Sequence, residues 1–351
     1  MADMRPARLE DLGEVVALVR SHLLEGPLPG DDVSFLRDTL FESPWSDPDV
    51  TSLVAEEAGR LVGFVGVQPR SLLRDGRPLR GACCSHLVVA PGARTSGLGA
   101  SLLKAALSGP QDLTWSDTAT GTVARLWQVF GGVVDPTRSL DWALVLRPVR
   151  WAGGMLADGL HGRGASRSTM PVAGLPIHAA GRRLVPRAFP DQVPDVRSDP
   201  VSPAEGAAAT LALTRSARLS TAWSPDHLAG VLAHAARSGR VLHRVVHHRE
   251  RLVGWYVVLV RGRTATALSL LMDPRAPQPA LQALVRDVQQ QGAAVLTGRY
   301  EPELAGALAP RLPILGFARR PVLHSRDAAL LALAGGAAAR LHRLEGEWWV
   351  V

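Results

Sequence analysis

Apolar positions in the first ninety residues follow two periods, one helical and one strand-like. Between 9 and 23 they recur three and four residues apart, which predicts an amphipathic helix. Apolar runs follow at 52–56, 61–68 and 79–89, and Asp75-Gly76 before the last run has the composition of a tight hairpin turn. Helices combined with hairpin strands predict an α/β fold, with a mixed sheet flanked by helices.

A glycine-containing turn follows the last of these strands. Residues 94–99 read R-x-x-G-x-G, and a helical apolar pattern begins at Leu98. A helix N-terminus presents unpaired backbone N–H groups and the positive end of the helix dipole, and glycine lets a ligand approach closely. The turn therefore predicts an anion site suited to a diphosphate. Its spacing is neither that of the dinucleotide-binding G-x-G-x-x-G nor that of a P-loop.

This strand, turn and helix resemble motif A of the GNAT acyltransferase superfamily. The resemblance implies that the turn holds the pyrophosphate of acetyl-CoA, or of another acyl-CoA, as co-substrate. It also implies that main-chain groups of the strand hold the pantetheine arm and assist the oxyanion. The implied cofactor-binding residues are Leu87, Val88 and Val89 in the strand, and Arg94, Thr95, Ser96, Gly97, Leu98, Gly99 and Ala100 beyond it.

A helix predicted at 120–130 resembles motif B of the same superfamily, with two departures. The family tyrosine that often protonates the CoA thiolate falls on Trp127, and the family phenylalanine after the helix falls on Gly132. Because tryptophan cannot perform this protonation, the resemblance leaves the thiolate without its usual proton donor.

An internal repeat extends the resemblance to the second half of the chain. The sequence R-L-V-G-F at 60–64 recurs as R-L-V-G-W at 251–255 and opens a strand in both places. An apolar run at 264–272 and a helical pattern at 280–290 follow in the same order, and Leu315-Gly316-Phe317 is matched to the end of the motif B helix. We therefore expect two GNAT-like domains in tandem, each with a central twisted mixed sheet flanked by helices.

The expected boundaries are 1–150 for an acetyl-CoA-binding domain, 151–203 for a connecting region rich in proline and glycine, and 204–351 for the second domain. In place of the glycine turn, the second domain has D-P-R-A-P-Q-P at 273–279. Its three prolines donate no N–H and no glycine is present, so we expect no diphosphate there. The second domain is thus predicted to be degenerate, serving as a structural unit or as one wall of the acceptor cleft.

Other patterns in the second half predict shorter elements. Helices are expected at 152–159, 211–218 and 224–238, the last beginning with Ser-Pro, which suits a helix start. A final strand is expected at 345–349.

Two side chains near strand ends in the first domain are candidates for deprotonating an acceptor amine. His86 lies near the end of the strand at 79–89, and its unperturbed pKa of about 6.5 suits a general base. Asp117, after a predicted strand at 112–115, is the second candidate, although a helix-capping role suits it better. Deprotonation relayed by water, with no side-chain base, stays open.

Histidines at 243, 247 and 248 have no cysteine near them, which favours surface histidines, and we expect no metal site.

Composition sets the expected partners and compartment. The net charge is +7 and the isoelectric point about 10.6, but the arginines are interleaved with acidic residues and Lys104 is the one lysine, which disfavours nucleic acid. No apolar run reaches the ~18 residues of a membrane span, and the N-terminus lacks the apolar core of a secretory signal. Cys83 and Cys84 are expected to be buried in a strand. These features predict a cytoplasmic protein with no membrane partner; they leave its oligomeric state unknown.

The sequence thus predicts an N-acyltransferase that moves an acetyl or other short acyl group from acyl-CoA to a primary amine on a small molecule or peptide. Two alternatives stay open. An aminoacyl-tRNA-dependent aminoacyltransferase is favoured by the basic isoelectric point and opposed by the intact glycine turn. A non-catalytic acyl-CoA-binding sensor or scaffold is favoured by Trp127.

Overall fold

The computed structural model describes residues 2–22, 31–43, 45–147, 193–311, 313–317 and 319–350. The chain forms two mixed β-sheets flanked by helices, which confirms the predicted fold class. The helix expected at 152–159, and most of the expected connecting region, lie outside the described residues.

The first half of the chain supplies two long hairpin strands and the helices around them. The predicted turn at Asp75-Gly76 joins them, and both residues have positive φ, as a tight hairpin turn requires. The elements are β1 (Asp3–Pro6), α1 (Leu12–His22), α2 (Asp32–Leu36), β2 (Leu53–Glu57), β3 (Arg60–Arg74), β4 (Arg77–Val89), α3 (Leu98–Leu107), β5 (Leu113–Ser116), α4 (Gly121–Val129), β6 (Val133–Val134) and β7 (Leu140–Val145).

The second half repeats much of this order. Its elements are β8 (Val196–Pro200), α5 (Pro203–Leu213), β9 (Leu219–Thr221), α6 (Pro225–Ala236), β10 (Arg240–His248), β11 (Arg251–Arg261), β12 (Thr264–Met272), α7 (Pro277–Gln290), β13 (Val295–Arg299), α8 (Ala305–Leu308), β14 (Ile314–Phe317), β15 (Val322–His324), α9 (Ala328–Ala334) and β16 (Ala339–Arg340).

The two sheets have matching strand orders. The first runs β1-β2-β3-β4-β5-β15-β6, and the second runs β8-β10-β11-β12-β13-β7-β14. In each, one parallel pair stands near the middle, β4 with β5 and β12 with β13. The short strand β9 adds to the first sheet beside β3 and pairs in turn with β16.

Within the seven matched strands, each sheet contains one strand supplied by the other half of the chain. β15, from late in the chain, lies between β5 and β6 of the first sheet. Conversely, β7 lies between β13 and β14 of the second sheet. The predicted boundary at 150 stays a prediction, but a segment ending there carries a strand of the second sheet and lacks β15 of the first.

The repeated R-L-V-G sequence has a packing reason. Gly63 pairs with Val89, and a Cβ on Gly63 would lie 2.8 Å from Leu102 in α3. Gly254 pairs with Met272, and a Cβ there would lie 2.6 Å from the Ala280 Cβ in α7. A helix therefore crosses closely over the same glycine in both halves.

Three predicted elements were wrong. Leu315-Gly316-Phe317 ends no helix but lies in strand β14 at a sheet edge. Residues 345–349 form short 3-10 turns rather than a strand, since Arg343–Glu345 and Trp348–Val350 are both helical turns. The helix expected at 211–218 is α5, which begins eight residues earlier because Ser202 and Glu205 form a capping box around Pro203.

A hydrophobic core joins the two halves. Phe35 of α2, Leu228 of α6, Trp255 of β11 and Trp348 near the C-terminus are all buried in one cluster. Cys83 and Cys84 are buried in β4, as predicted. Because this cluster draws on both sheets and on the C-terminal residues, it brings the C-terminal segment to the ends of β4 and β5.

Candidate active site

The central parallel pair of the first sheet opens part-way along β4. β4 pairs with β5 only from Gly81 to Cys83, whereas its pairing with β3 continues to Val89. Beyond Cys83, no strand of the described residues lies beside the edge of β4 that faced β5. Since every second residue of a strand directs its backbone N–H and C=O to that edge, part of the backbone of residues 84–89 faces the opening. Leu87, Val88 and Val89, the predicted pantetheine-binding residues, lie at its end.

The predicted anion turn lies directly beyond this opening. A 3-10 helix spans Pro91–Ser96, Gly97 adopts a left-handed φ of 76°, and α3 starts at Leu98 as predicted. Among the described residues, no side chain caps the start of α3. Its first N–H groups, which include those of Leu98, Gly99 and Ala100, have no partner within the helix and are available to an anion.

The surface of the turn is accessible. Arg94, Thr95 and Ser96 are exposed, and the Arg94 side chain is held back by an Nε–H bond of 3.2 Å to the Val89 carbonyl. A Cβ on Gly99 would touch only Val89, at 3.5 Å. The space on the outer side of Gly99 is therefore open to a ligand.

His86 lies in a β-bulge of β4 at the opening. Phe64 pairs with Val88 and Gly66 pairs with Ser85, so His86 and Leu87 oppose one residue of β3. His86 has a φ of 52° and is 8% exposed. Its ring stacks on Trp349 with 6.0 Å between centroids. Burial lowers the pKa of His86 to about 4, so the ring is neutral at neutral pH.

A hydrogen-bond chain ends at Nδ1 of His86. Arg70 donates to Gln68 Oε1 over 2.7 Å, which leaves Gln68 Nε2 to donate to Ser85 Oγ over 3.1 Å. Ser85 Oγ lies 2.8 Å from His86 Nδ1, and the tautomer of the ring determines which of the two donates. If Nδ1 carries the proton, Nε2 is free to act as a general base. If the hydroxyl donates to Nδ1, the ring proton is on Nε2, and a water has to accept the proton of the amine instead.

Asp117, the second candidate, is committed to structural partners. Its Oδ1 accepts a hydrogen bond of 2.6 Å from Arg299 at the end of β13, and its Oδ2 accepts one of 3.0 Å from the Glu347 backbone. The cap of α4 is Thr120, which accepts from the Val123 N–H. Asp117 therefore links the two sheets, and its proposed role in catalysis stays a prediction.

Glu347 is a residue of this site that the sequence did not identify. Its carboxylate accepts hydrogen bonds from Ser116 Oγ at 2.8 Å and Thr118 Oγ1 at 2.9 Å, at the end of β5. Burial raises its pKa to about 7. Only the folding of the C-terminal segment brings Glu347 and Trp349 here, and no local sequence pattern signals it.

The two departures from motif B also have structural explanations. Trp127 is buried in a hydrophobic cluster with residues of α3 and α4. Its indole cannot protonate the CoA thiolate. Gly132 has no room for a side chain, because a Cβ would lie 3.0 Å from the carbonyl oxygens of Leu323 and Trp127.

The corresponding opening in the second sheet is filled by the chain itself. β12 pairs with β13 only at 264–267, so this pair also separates. Here, however, the Leu270 N–H donates to His342 Nδ1 over 3.4 Å, and Arg299 donates to the Leu341 carbonyl. The cavity left at this place is about 10 Å³, which fits at most about one water.

His243, the first of the three histidines in β10, has a hydrogen-bond partner of its own. His243 is partly buried rather than on the surface, and its Nε2 accepts a 3.0 Å hydrogen bond from Trp255. Burial lowers its pKa to about 4. Within the described ranges, no group of three or more His, Cys, Asp or Glu side chains could hold a metal ion.

The turn and the uncapped helix start lie within a stretch that is similar to a known family. Residues 16–111 match the model of the acetyltransferase (GNAT) family, and the match includes the turn at 94–99. No curated protein matches the chain.

Solved structures with the same fold extend over nearly the whole chain. A GCN5-related N-acetyltransferase from Anabaena variabilis ATCC 29413 is 10% identical with a TM-score of 0.60, over 93% of this chain and 73% of that one. A probable N-acyltransferase of unknown function from Enterococcus faecalis V583 is 11% identical with a TM-score of 0.59, over 93% and 73%. A GCN5-related N-acetyltransferase from Kribbella flavida is 16% identical with a TM-score of 0.56, over 95% and 74%. These similarities establish the fold and are consistent with two GNAT-like domains.

No helix in the described part of the chain is both long enough and apolar enough to cross a membrane.

Proposed function

We propose that this chain is an N-acyltransferase that moves an acetyl or other short acyl group from acyl-CoA to a primary amine. One observation carries the proposal. Strand β4 leaves its pairing with β5 after Cys83, and the turn at 91–97 connects its end to the uncapped N-terminus of α3. The first feature suits an amide-containing pantetheine arm, and the second suits a diphosphate.

The reaction needs no redox partner. The neutral amine nitrogen attacks the thioester carbonyl carbon, a C–N bond forms, and the C–S bond breaks on collapse of the tetrahedral intermediate. The nitrogen loses one proton, and the departing CoA thiolate gains one. In this proposal, N–H groups of 87–89 orient the thioester and stabilise its oxyanion.

Proton removal from the amine is assigned to His86, with a water relay as the alternative. At neutral pH burial keeps His86 unprotonated, which a base requires. A pKa of about 4, however, makes it a weak acceptor. A water that relays the proton is compatible with this low pKa and with either tautomer of the ring. Asp117 stays the second candidate, with its carboxylate engaged by Arg299.

We further propose that the chain is a tandem of two GNAT-like domains and that only the first binds acyl-CoA. Duplication is supported by the matching strand orders. It is also supported by Gly63 and Gly254, each of which lies where a helix crosses its strand closely. The loss of function in the second domain is supported by Pro277 and Pro279 at the start of α7 and by His342 on the Leu270 N–H. The second domain then contributes to the acceptor side, and we propose a cytoplasmic location.

A non-catalytic acyl-CoA sensor is the second candidate function. It is favoured by the replacement of the family tyrosine with buried Trp127, because no phenol is then available to protonate the thiolate.

The deciding experiment measures CoA release from acetyl-CoA with a panel of amines, alongside calorimetric titration of CoA. Binding with amine-dependent release supports the transferase. Binding without release for any amine supports the sensor. Transfer from an aminoacyl-tRNA in the absence of CoA binding would support the aminoacyltransferase alternative.

A further inference from the structure

A cavity of about 250 Å³ lies between the two halves of the chain, beside the candidate active site. Its walls come from the turn after α2, the middle of β3, one side of α6 and the C-terminal tryptophans. At ~30 Å³ per water it has room for about eight water molecules, which suits a small ligand.

Two contacts place this cavity next to His86. Gln68 lines the cavity and donates to Ser85 Oγ, which in turn bonds His86 Nδ1. Trp349 lines the cavity as well, and its ring stacks against the His86 ring at an interplanar angle of 9°. Gln68 and Trp349 therefore connect the lining of the cavity to the surroundings of His86.

Unsatisfied polar atoms belong to the lining residues. Trp45 is 3% exposed and Thr39 is 6% exposed, and among the described residues neither Trp45 Nε1 nor Thr39 Oγ1 has a hydrogen-bond partner. A buried donor or hydroxyl without a partner is destabilising, because it has lost its hydrogen bonds to water. An indole N–H only donates, so its partner must be an acceptor atom, such as an oxygen of a ligand.

The charged lining residues Asp38, Arg70 and Arg237 have partners. Asp38 pairs with Arg237 at 2.6 Å. Arg70 donates to Gln68 and to the carbonyl oxygens of Pro69 and Glu345, and its guanidinium lies 4.3 Å from the centre of the Trp45 ring. Glu42 also lines the cavity, but it is exposed to solvent, and Arg70 would repel a second ammonium group inside.

The tryptophan rings favour a flat, apolar ligand. Trp45, Trp348 and Trp349 supply three aromatic walls, and aromatic surfaces pack best against other rings in offset or edge-on contact.

We propose that this cavity holds the acceptor, and that the acceptor is a small primary amine carried on an aromatic ring with an oxygen that can accept a hydrogen bond. This inference rests on the proposed acyl transfer and adds the place and the class of its second substrate. The ring lies among the tryptophans, the oxygen accepts from Trp45 Nε1, and the amine points toward the bulge of β4.

The test compares tyramine, spermidine and N-acetyl-lysine amide as acceptors at saturating acetyl-CoA. Tyramine is expected to have the highest kcat/KM by about tenfold or more, the discrimination that a hydrophobic pocket supplies. Spermidine and the lysine derivative lack the aromatic ring that the tryptophans favour, and Arg70 would repel the additional ammonium groups of spermidine. Preference for spermidine or for the lysine derivative, or no turnover of tyramine, overturns the proposal.

A cavity-filling variant tests the location independently. Gly230 lines the cavity from α6, and Gly230→Leu favours the helix while reducing the space. It should raise the KM of tyramine about tenfold or more and weaken tyramine binding by calorimetry in the presence of CoA, with the KM of acetyl-CoA unchanged. Ala208→Leu, on an exposed position of α5, is the matched control and should change neither.

The outcomes separate the two proposals. Unchanged tyramine KM and binding in Gly230→Leu overturn the cavity assignment while acyl transfer stands. Absence of CoA binding to the wild-type chain overturns acyl transfer, and tyramine calorimetry on the same two variants still decides whether the cavity binds an aromatic amine.

Discussion

Leu323→Ala should weaken the first sheet even though Leu323 lies near the end of the chain. Leu323 of β15 is 4% exposed, pairs with Trp115 of β5 and Val133 of β6, and packs in a cluster with Leu72 and Leu113. Truncating a buried leucine costs about 2–5 kcal/mol, because the transfer energy is lost and a cavity remains. At 1.4 kcal/mol per factor of ten, about 3 kcal/mol corresponds to roughly 100-fold more frequent opening of the neighbouring strands.

Native-state hydrogen exchange followed by mass spectrometry provides the measurement. The exchange increase in Leu323→Ala should be largest in β5 and β6, which are about 200 residues away in sequence from the substitution. Leu144→Ala in β7, 3% exposed, is the reciprocal variant and should increase exchange most in β13 and β14. If each variant instead loosens mainly the sheet of its own half, the exchange of strands between the sheets is refuted.

Four further outcomes are expected. Gly99→Val should abolish CoA binding in calorimetry while the fold survives, because the valine side chain fills the space over the N-terminus of α3. The control Gly92→Ala should bind CoA normally, since no described atom lies within 4 Å of its Cβ position. Unchanged CoA affinity in Gly99→Val contradicts the anion site. His86→Ala should lower kcat about 10²-fold or more. Because the pKa of His86 is about 4, its titration should not change the rate between about pH 5.5 and 8. A near-normal kcat in His86→Ala would show that His86 takes no part in the reaction. CoA titration should give one site per chain, and two equivalent sites would show that the second domain binds CoA. Burial raises the pKa of Glu347 from 4.5 to about 7, so the folded chain binds this proton more tightly than the unfolded chain. The contribution of Glu347 to the free energy of unfolding therefore falls by about 3 kcal/mol as pH rises from about 4.5 to about 7. In urea denaturation, Glu347→Gln should lose less stability over this pH range than wild type, and equal losses would be inconsistent with the raised pKa.

Local sequence was sufficient for the parts of the site that depend on neighbouring residues. The strand ending at Val89, the turn through Gly97 and the helix from Leu98 were all predicted, because helix starts, glycine turns and apolar periods are fixed within a few residues. The repeated R-L-V-G was also informative, since each glycine is required where a helix crosses its strand.

Short segments whose partners are distant could not be predicted in the same way. The sequence at 314–317 resembles the end of a helix but forms the edge strand β14, because β7 offers it an unpaired edge. The segment at 345–349 was expected to be a strand, yet its carboxylates and indoles lie at the ends of β4 and β5, where hydrogen-bonding partners and ring contacts hold it in turns.

The sequence by itself therefore determined the fold class and the position of the glycine turn between β4 and α3. Only the tertiary structure decided that β7 and β15 exchange sheets, that Asp117 is engaged by Arg299, and that His86 is buried against Trp349 with a lowered pKa. The physical reason is the separation along the chain over which each interaction acts. Backbone propensity and periodicity act over a few residues, whereas sheet edges, buried charges and desolvation depend on which distant segments meet when the core closes.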